Sequence, residues 1–253
     1  TLKRKNFFLD GLDFDFHIGY AIGRYGLCDK AMNRYDWDGT KLPPVSPYGG
    51  EQNNYPSDGN NHSKELTSKL NLEYTIDKHH GVNLNVYFDR NSLRPKDPLM
   101  DKALGFQSNF PSRMNTLTLA LSYDLTLYEG RFQNAFTLKN YKFSSHSRSI
   151  NVYSVSAPEP VSVSKSYFGF NDAMRYKLTN DWMVKASFNS EVRIPTNEEL
   201  IGNGYSILAS PALKPERTSG VNVGMMYRHI KQNGGLVEIE FNGFYNQLKD
   251  MIR

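Results

Sequence analysis

The chain alternates between apolar and polar residues over most of its length. In the segment 66–76, Leu70, Leu72 and Tyr74 share one parity, whereas Lys69 and Asn71 lie between them. Successive strand side chains point to opposite faces, so the pattern predicts a β-strand with one apolar and one polar face. The same period recurs in 12–22, 117–127, 168–178, 182–194 and 237–245, and more weakly in 82–90, 131–142 and 217–229. The sequence therefore predicts about nine strands, with the end of a further strand near the start of the chain.

The predicted strands are long, and the segments that connect them alternate in length. Each strand alternates for roughly 10–14 residues, whereas strands in soluble domains average about 5–6 and a tilted strand needs about 9–11 to cross a bilayer. Short turns containing Gly, Asn or Asp lie near 10–11, 77–81, 128–130, 179–181 and 231–235. Long polar segments cover roughly 25–62, 93–112, 145–164 and 195–215. Short turns at one end and long loops at the other are typical of outer-membrane β-barrels.

Aromatic residues recur beside the short turns. Tyr74, Tyr123, Tyr176, Trp182 and Tyr227 each lie a few residues from such a turn and share the parity of the apolar face. Although Tyr favours strands in general, aromatic side chains at one height on one face are typical of the girdle of a membrane barrel. The pattern therefore predicts a girdle at one membrane interface.

Two soluble folds share part of this pattern. A β-sandwich also has one apolar face per strand, but it has no reason to separate short from long connections. A propeller needs four strands per blade, whereas two fall in each interval of about 50 residues here. A sheet in lipid must close, and an incomplete hairpin at each end favours part of a larger barrel over a complete ten-strand barrel. We expect an all-β, antiparallel transmembrane β-barrel with about 9–10 strands of that barrel in this chain, short periplasmic turns and long extracellular loops.

Composition and charge exclude several other classes of protein. The 253 residues are 13% aromatic, which is too rich for a disordered tail, and the net charge of +4 is too weak to indicate a nucleic-acid partner. The single cysteine, Cys28, excludes a disulfide within the chain and a cysteine-based zinc site. The six histidines lack metal-ligand spacing, and neither a phosphate-binding loop nor a nucleophile elbow occurs. We therefore expect no catalytic residue, no bound metal and no cofactor.

One stretch of the chain resembles a known family. Residues 189–224 read NSEVRIPTNEELIGNGYSILASPALKPERTSGVNVG. This resembles the barrel signature of TonB-dependent outer-membrane receptors, with an Arg-x-Pro step at 193–195 and a Glu-Leu pair at 199–200. The Asn-Pro-x-Leu-Lys-Pro-Glu stretch of that family is similar to 210–216, with Ser210 in place of the usual Asn. Pro195, Pro211 and Pro215 are expected to stiffen a loop that folds back into the barrel.

The resemblance implies more than the fold. It implies a 22-strand barrel in the bacterial outer membrane, in contact with outer-membrane lipid, with a plug domain that lies outside residues 1–253 and contacts TonB. The expected function is import of a scarce nutrient, such as siderophore-bound iron, cobalamin or a glycan, driven by energy coupled through TonB. A passive porin and a soluble carbohydrate-binding or adhesive β-protein are the alternatives.

Two sets of residues are candidates for ligand contact. On the long loops, exposed aromatic side chains supply rigid contact area for a ligand, although they also suit packing of the loops against one another. The loop candidates are Trp37, Tyr48 and Tyr205. On the polar face, cations are expected to attract an anionic ligand or to face carboxylates of the plug. The lumen candidates are Lys69, Arg175, Lys185 and Arg193.

Overall fold

The fold is one long antiparallel sheet. The computed structural model describes residues 1–43, 47, 49–50, 55–107, 110–149, 159–201, 210, 212–230 and 234–252. The strands are β1 (Leu2–Arg4), β2 (Leu12–Asp29), β3 (Arg34–Tyr35), β4 (Lys41–Leu42), β5 (Ser57–Thr75), β6 (His80–Arg94), β7 (Ser112–Leu127), β8 (Phe132–Ser149), β9 (Glu159–Lys177), β10 (Trp182–Arg193), β11 (Glu216–Ile230) and β12 (Leu236–Lys249). The helices are α1 (Pro98–Leu104) and α2 (Asn197–Ile201). Ten strands form a sheet in which each pairs with its neighbour along the chain, whereas β3 and β4 form a separate hairpin.

The register shows that the strands are tilted. The row of paired residues that begins at Tyr74 of β5 crosses β7 at Tyr123 and reaches β11 at Val221. The girdle residue of β11 is Tyr227, so the girdle is displaced by about one residue per strand relative to this row. With about 3.3 Å per residue and about 4.8 Å between strands, this stagger corresponds to a tilt of about 35°, as in closed barrels.

The apolar face of the sheet is uncovered. Ile18 is 57% exposed, Leu121 50% and Phe188 44%, and no second layer packs on these side chains in the described part of the chain. A soluble sandwich buries such residues between two sheets. The predicted girdle residues lie on this same face, and the rings of Trp182 and Tyr227 are 4.9 Å apart. We call this the outer face and the opposite one the inner face.

The strands extend further than the alternation indicates. The predicted loops at 25–62 and 145–164 are too wide, because β2 continues to Asp29, β5 begins at Ser57, β8 continues to Ser149 and β9 begins at Glu159. The ladder between β2 and β5 is unbroken from Leu12 to Asp29. Beyond the apolar band no hydrocarbon imposes a period of two, and the backbone ladder continues there with polar residues on both faces.

One polar pair interrupts the apolar band of the outer face. Asp172 of β9 lies in the same row as Phe136 and Phe188, and its carboxylate accepts a hydrogen bond of 2.5 Å from the amide of Asn134 on β8. The bond gives both polar side chains a partner on a face that otherwise carries apolar residues at this height.

Candidate functional site: the inner wall and its extracellular mouth

Two ion pairs on the inner face each join two strands across a third strand that lies between them and carries glycine at that position. The Lys139 ammonium on β8 lies 2.7 Å from the Glu191 carboxylate on β10, and the Tyr141 hydroxyl donates to the second oxygen of Glu191. Between them, β9 carries Gly169, where an added Cβ would lie 2.7 Å from the Ser190 carbonyl oxygen. The missing side chain therefore makes room for the two long side chains to meet.

A second ion pair that crosses a glycine lies two strands further along the sheet. Lys185 of β10 pairs with Glu240 of β12, across Gly224 of β11. The amide of Asn242 donates a hydrogen bond of 2.6 Å to the same carboxylate. An added Cβ at Gly224 would lie 2.8 Å from the Lys185 side chain. Two of the inner-face cations are thus held by carboxylates of the wall itself.

A clamp of one arginine and two glutamates closes the extracellular ends of β10 and β11. The Arg193 guanidinium donates to Glu216 at 2.8 and 3.1 Å and to Glu199 at 3.2 and 3.3 Å. Arg193 and Glu216 are directly opposed in the ladder, whereas Glu199 belongs to α2. Charge-assisted, two-pronged contacts of this kind fix geometry. The clamp therefore ties α2 to the strand ends.

Glu199 also caps α2. The backbone N–H of Thr196 donates to the Glu199 carboxylate at 2.6 Å, and the Thr196 hydroxyl accepts from the Glu199 N–H at 3.3 Å, which is the reciprocal capping box of a helix start. Burial favours the neutral acid, but the hydrogen bonds from Thr196 and Arg193 and the charge of Arg193 outweigh it, and the pKa of Glu199 falls below its ordinary 4.5. The carboxylate is therefore charged at neutral pH.

Helix α2 packs over the inner face near the mouth. Leu200 is fully buried and Ile201 is 6% exposed, and they form one apolar cluster with Leu93, Met114 and Phe143 on the inner faces of β6, β7 and β8. Val163, Tyr167, Ile194 and Leu213 border this cluster. The sequence predicted a loop at 195–215 that folds back into the barrel; its first part, with Leu200 and Ile201, packs on the inner face, whereas 202–209 and 211 lie outside the described residues.

A second loop is fixed to the wall through one carboxylate. Asp97 precedes α1 and accepts from the Met100 N–H at 3.0 Å, from the Asp58 N–H at 3.1 Å and from the Ser57 hydroxyl at 2.5 Å. The carboxylate thus caps α1 and joins it to the start of β5. Two of the loops at this end of the sheet are thus each held in place by acid side chains, as far as their residues are described.

The loop candidates differ in what the structure describes of them. Trp37 lies at the tip of the β3–β4 hairpin and is 93% exposed. Asp36 and Asp38 shape the tip, because their carboxylates accept from the N–H groups of Trp37 and Thr40 at 2.7 and 2.9 Å. Tyr48 and Tyr205 lie outside the described residues. Within the described residues, Trp37 is presented to solvent and does not pack against another loop.

The four lumen candidates all lie on the inner face, but in different surroundings. Lys185 and Arg193 are the paired cations described above. The Lys69 ammonium lies 5.5 Å from the centre of the Tyr87 ring, a cation–π contact. Arg175 is directly opposite Lys185 and forms no ion pair within the described ranges. Of the four, Lys69 and Arg175 remain without a carboxylate partner in this part of the chain.

Some contributors to the wall were not identified from the sequence. Lys139, Tyr141, Glu191 and Glu240 have the parity of the polar face, and the T-x-x-E spacing at 196–199 is the signal of a capping box. No convergent group of three or more His, Cys, Asp or Glu side chains that could hold a metal occurs in the residues with described structure. Among them there is also no helix with the length and apolar character needed to cross a membrane.

Comparison with known proteins identifies the family. The family described as TonB dependent receptor-like, beta-barrel matches residues 1–253. The chain belongs to this family. A TonB-dependent receptor of this kind is an outer-membrane protein of Gram-negative bacteria, and its relatives are receptors and transporters, not enzymes, so the predicted family, antiparallel barrel sheet, location and non-enzymatic class are confirmed. Among curated proteins no match was found.

Solved structures of TonB-dependent receptors share this fold at low sequence identity. The apoprotein of the FrpB iron transporter from Neisseria meningitidis is 13% identical with a TM-score of 0.64, covering 98% of this chain and 36% of its own. The copper transporter OprC is 15% identical with a TM-score of 0.63, covering 95% and 36%. The ferric yersiniabactin uptake receptor FyuA from Yersinia pestis is 14% identical with a TM-score of 0.58, covering 96% and 34%. The chain thus spans about a third of the length of these receptors.

Proposed function

We propose that residues 1–253 form part of the barrel wall of a longer receptor that captures a scarce nutrient and imports it with TonB-coupled energy. The observation that carries this proposal is the inward-folded loop, in which α2 packs on an apolar cluster of an otherwise polar, ion-paired inner face. A passage of this form is polar inside and narrowed at its outer end, which suits selective and gated entry better than free diffusion.

A complexed metal ion is the ligand class that we favour. Three proteins with similar folds are an iron transporter, a copper transporter and a ferric yersiniabactin uptake receptor. Lys69 and Arg175 supply inner-face cations for an anionic chelate, and Trp37 supplies an exposed ring at the rim. Cobalamin and glycans are the other ligand classes to test.

A transport assay tests the proposal. The full-length gene is expressed in a strain that lacks its own siderophore receptors, and uptake of labelled ferric siderophores, cobalamin and oligosaccharides is measured. We expect saturable uptake of one ferric chelate that disappears when TonB is deleted. Uptake that persists without TonB and never saturates would instead identify a passive porin, and a protein recovered without detergent from the soluble fraction would identify a soluble binding protein.

The loop assignment has its own test. Trp37→Ala combined with Tyr48→Ala is expected to weaken ligand binding about tenfold or more, because stacked aromatic contacts contribute about 0.5–1.5 kcal/mol each beyond their burial. Phe8→Ala, an exposed aromatic at the opposite end of the sheet, serves as the control. Affinity that is unchanged in the double variant would remove this loop from the ligand site.

A further inference from the structure

The polar pair on the outer face lies deep within the apolar band. Asp172 of β9 is four residues from the girdle residue Tyr176. At a strand tilt of about 35° this spacing raises it about 11 Å above the periplasmic girdle, within an apolar band about 25 Å tall. Asn134 reaches it from β8, the neighbouring strand. Both polar side chains therefore lie at the depth of hydrocarbon, below the height at which headgroups or water could meet them.

The two side chains satisfy only part of each other's hydrogen-bonding capacity. The Asn134 amide nitrogen donates to one Asp172 oxygen at 2.5 Å and to the Ala173 carbonyl oxygen at 3.2 Å, so both of its N–H groups are used. Within the described residues, no further hydrogen bond reaches the second carboxyl oxygen of Asp172 or the amide oxygen of Asn134. Both residues are only half-buried, so these two oxygens are accessible from outside the barrel.

Hydrocarbon determines the protonation of the carboxyl group. A carboxylate without water or a counter-charge costs far more than the neutral acid, and no cation pairs with Asp172 in the part of the chain that the structure describes. We therefore expect a proton on the oxygen that does not accept from Asn134. The pair then presents one hydroxyl donor and one amide acceptor side by side.

Lipid offers no partner to either group. An unpaired polar group in hydrocarbon is costly, whereas apolar side chains gain little by leaving lipid for another protein, because acyl chains are equally apolar. The rings and aliphatic side chains around the pair therefore give no reason for a second protein to bind. The polar pair does, since a partner that supplies one acceptor and one donor satisfies both groups.

The pair is complementary to itself. Asn134 is opposed to Met174 in the ladder and Asp172 to Phe136, so the four side chains form a square with the polar pair on one diagonal. A rotation of 180° about an axis through this square, along the membrane normal, brings the Asp172 hydroxyl of each copy to the Asn134 oxygen of the other. Contacts in which residue i meets j and j meets i are typical of two-fold symmetric dimers.

We propose that two copies of the receptor associate in the plane of the membrane through reciprocal hydrogen bonds between Asp172 and Asn134. A second copy already carries the donor and the acceptor at the required depth and spacing, whereas an unrelated membrane protein would have to match both. The contact involves only the outer face, so each copy keeps its own passage, and the dimer does not depend on which nutrient is imported.

The oligomeric state of the full-length receptor in lipid vesicles tests the proposal. Each copy carries one dye, and single-molecule photobleaching counts the copies per spot as the ratio of protein to lipid is lowered. We expect a dimer that dissociates on dilution. Asp172→Leu with Asn134→Leu should weaken dimerisation about tenfold, because each hydrogen bond between side chains in a membrane contributes about threefold and two are lost.

A conservative variant and a matched control distinguish this effect from a structural one. Asp172→Asn keeps a donor and an acceptor in a neutral side chain, and it should dimerise within about threefold of the unmodified receptor. Asn140→Leu removes another outer-face amide of β8, which already donates to the Ser166 hydroxyl at 2.9 Å, and should change dimerisation by less than about twofold. Folding of every variant is checked by heat-modifiable mobility on a denaturing gel.

Cross-linking locates the contact. In a cysteine-free background, with Cys28→Ser, Met174→Cys places a thiol beside the two-fold axis. Leu72→Cys places one at the matching height on β5, because each position is two residues from its girdle tyrosine. A short bifunctional thiol reagent should link two copies through position 174 and not through position 72.

Four results would overturn the proposal. One is a receptor that stays monomeric at every ratio of protein to lipid. Another is a double leucine variant that dimerises as well as the unmodified receptor. A third is equal cross-linking through positions 174 and 72, which would indicate random collision. The last is a link from position 174 to a different membrane protein in whole cells, with no link between copies of the purified receptor.

Discussion

Cations on the two faces of the same sheet have different partners. On the inner face, Lys139, Lys185 and Arg193 each meet a carboxylate from another segment of the chain. On the outer face, Lys64, Arg90, Arg94 and Arg113 form no ion pair with the residues described. A cation that is paired within the wall stabilises the wall, whereas an unpaired row facing outward is directed at its surroundings. The role of a charged residue in this protein therefore depends more on which face of the sheet it occupies than on which amino acid it is.

The largest expected effect tests which face contacts lipid. It compares an arginine introduced on the outer face with one introduced on the inner face at the same height. Val86 and Asn85 are neighbours on β6 and face outward and inward, respectively. We expect Val86→Arg to cost about 2–4 kcal/mol of unfolding free energy in lipid vesicles, because the charge enters hydrocarbon. Asn85→Arg should change it by less than about 0.5 kcal/mol. Urea titration of the full-length receptor measures both, and equal losses would contradict the assignment of the faces.

Within the described residues the inner face has one buried apolar cluster, and truncating Leu200 at its centre should loosen the docking of α2. Leu200→Ala is expected to destabilise the docked state of α2 by about 2–3 kcal/mol, because the buried side chain leaves a cavity among Met114 and Phe143. Hydrogen exchange of residues 196–201 reports this local opening. The control is Leu178→Ala near a periplasmic turn, where the side chain is 50% exposed. Unchanged exchange in Leu200→Ala would mean that the clamp alone holds the loop.

An ion pair in the middle of the wall should matter more than one at the periplasmic end of the strands. The side chains of Lys139 and Glu191 are 29% and 27% exposed, and Glu191→Gln should cost about 1–2 kcal/mol because the ammonium loses its charged partner. Arg228 and Glu238 at the periplasmic end are 57% and 45% exposed, so Glu238→Gln should cost less than about 0.5 kcal/mol. Denaturant midpoints distinguish the two.

A double variant that removes both charges separates the contribution of the ion pair from that of packing. Lys139→Met with Glu191→Met removes both charges and should recover most of the stability that Glu191→Gln loses. If the double variant is as unstable as the single one, packing around Gly169 and not the ion pair is what the wall requires.

The smallest expected effect is a pH dependence of the extracellular mouth. Because the pKa of Glu199 is lower in the folded protein than its ordinary 4.5, its contribution to docking of α2 is present above that value and is lost as pH falls through the lowered folded pKa. Hydrogen exchange of α2 should therefore accelerate below about pH 4.5. Glu199→Gln should show faster exchange at neutral pH and a flatter profile, and an unchanged profile would exclude this carboxylate.

The alternation of residue types was sufficient to predict the strands, the faces and the girdle. It worked because water lies on one side of each strand and hydrocarbon on the other, so a period of two is imposed on segments such as 66–76. It failed at Ser57–His62, where the inner-face residues Ser57 and Asn61 are buried although they are polar. There the ladder with β2 and the hydrogen bonds to Asp97 maintain the strand without an apolar period. It also gave no indication of Asp172, whose partner Asn134 is 38 residues away along the chain.

The candidate site was less accessible to sequence reasoning than the fold. Parity placed Lys185 and Arg193 on the inner face, but which carboxylates they meet depends on the register and on Gly224. Glu191 meets Lys139 only because a glycine in a third strand leaves room between them. Such contacts depend on the order of strands across the sheet, which no single segment of sequence specifies.

The strict two-residue period has a consequence for how this wall can change over generations. A single insertion in the middle of β7 would turn Arg113 towards the interior and Met114 towards the lipid, since a one-residue slip exchanges the faces. Strand segments can therefore lengthen or shorten only in steps of two, whereas loops can gain or lose any number of residues. Sequence changes that alter which ligand is bound are therefore expected to accumulate in the loops, while the strands between them keep their length.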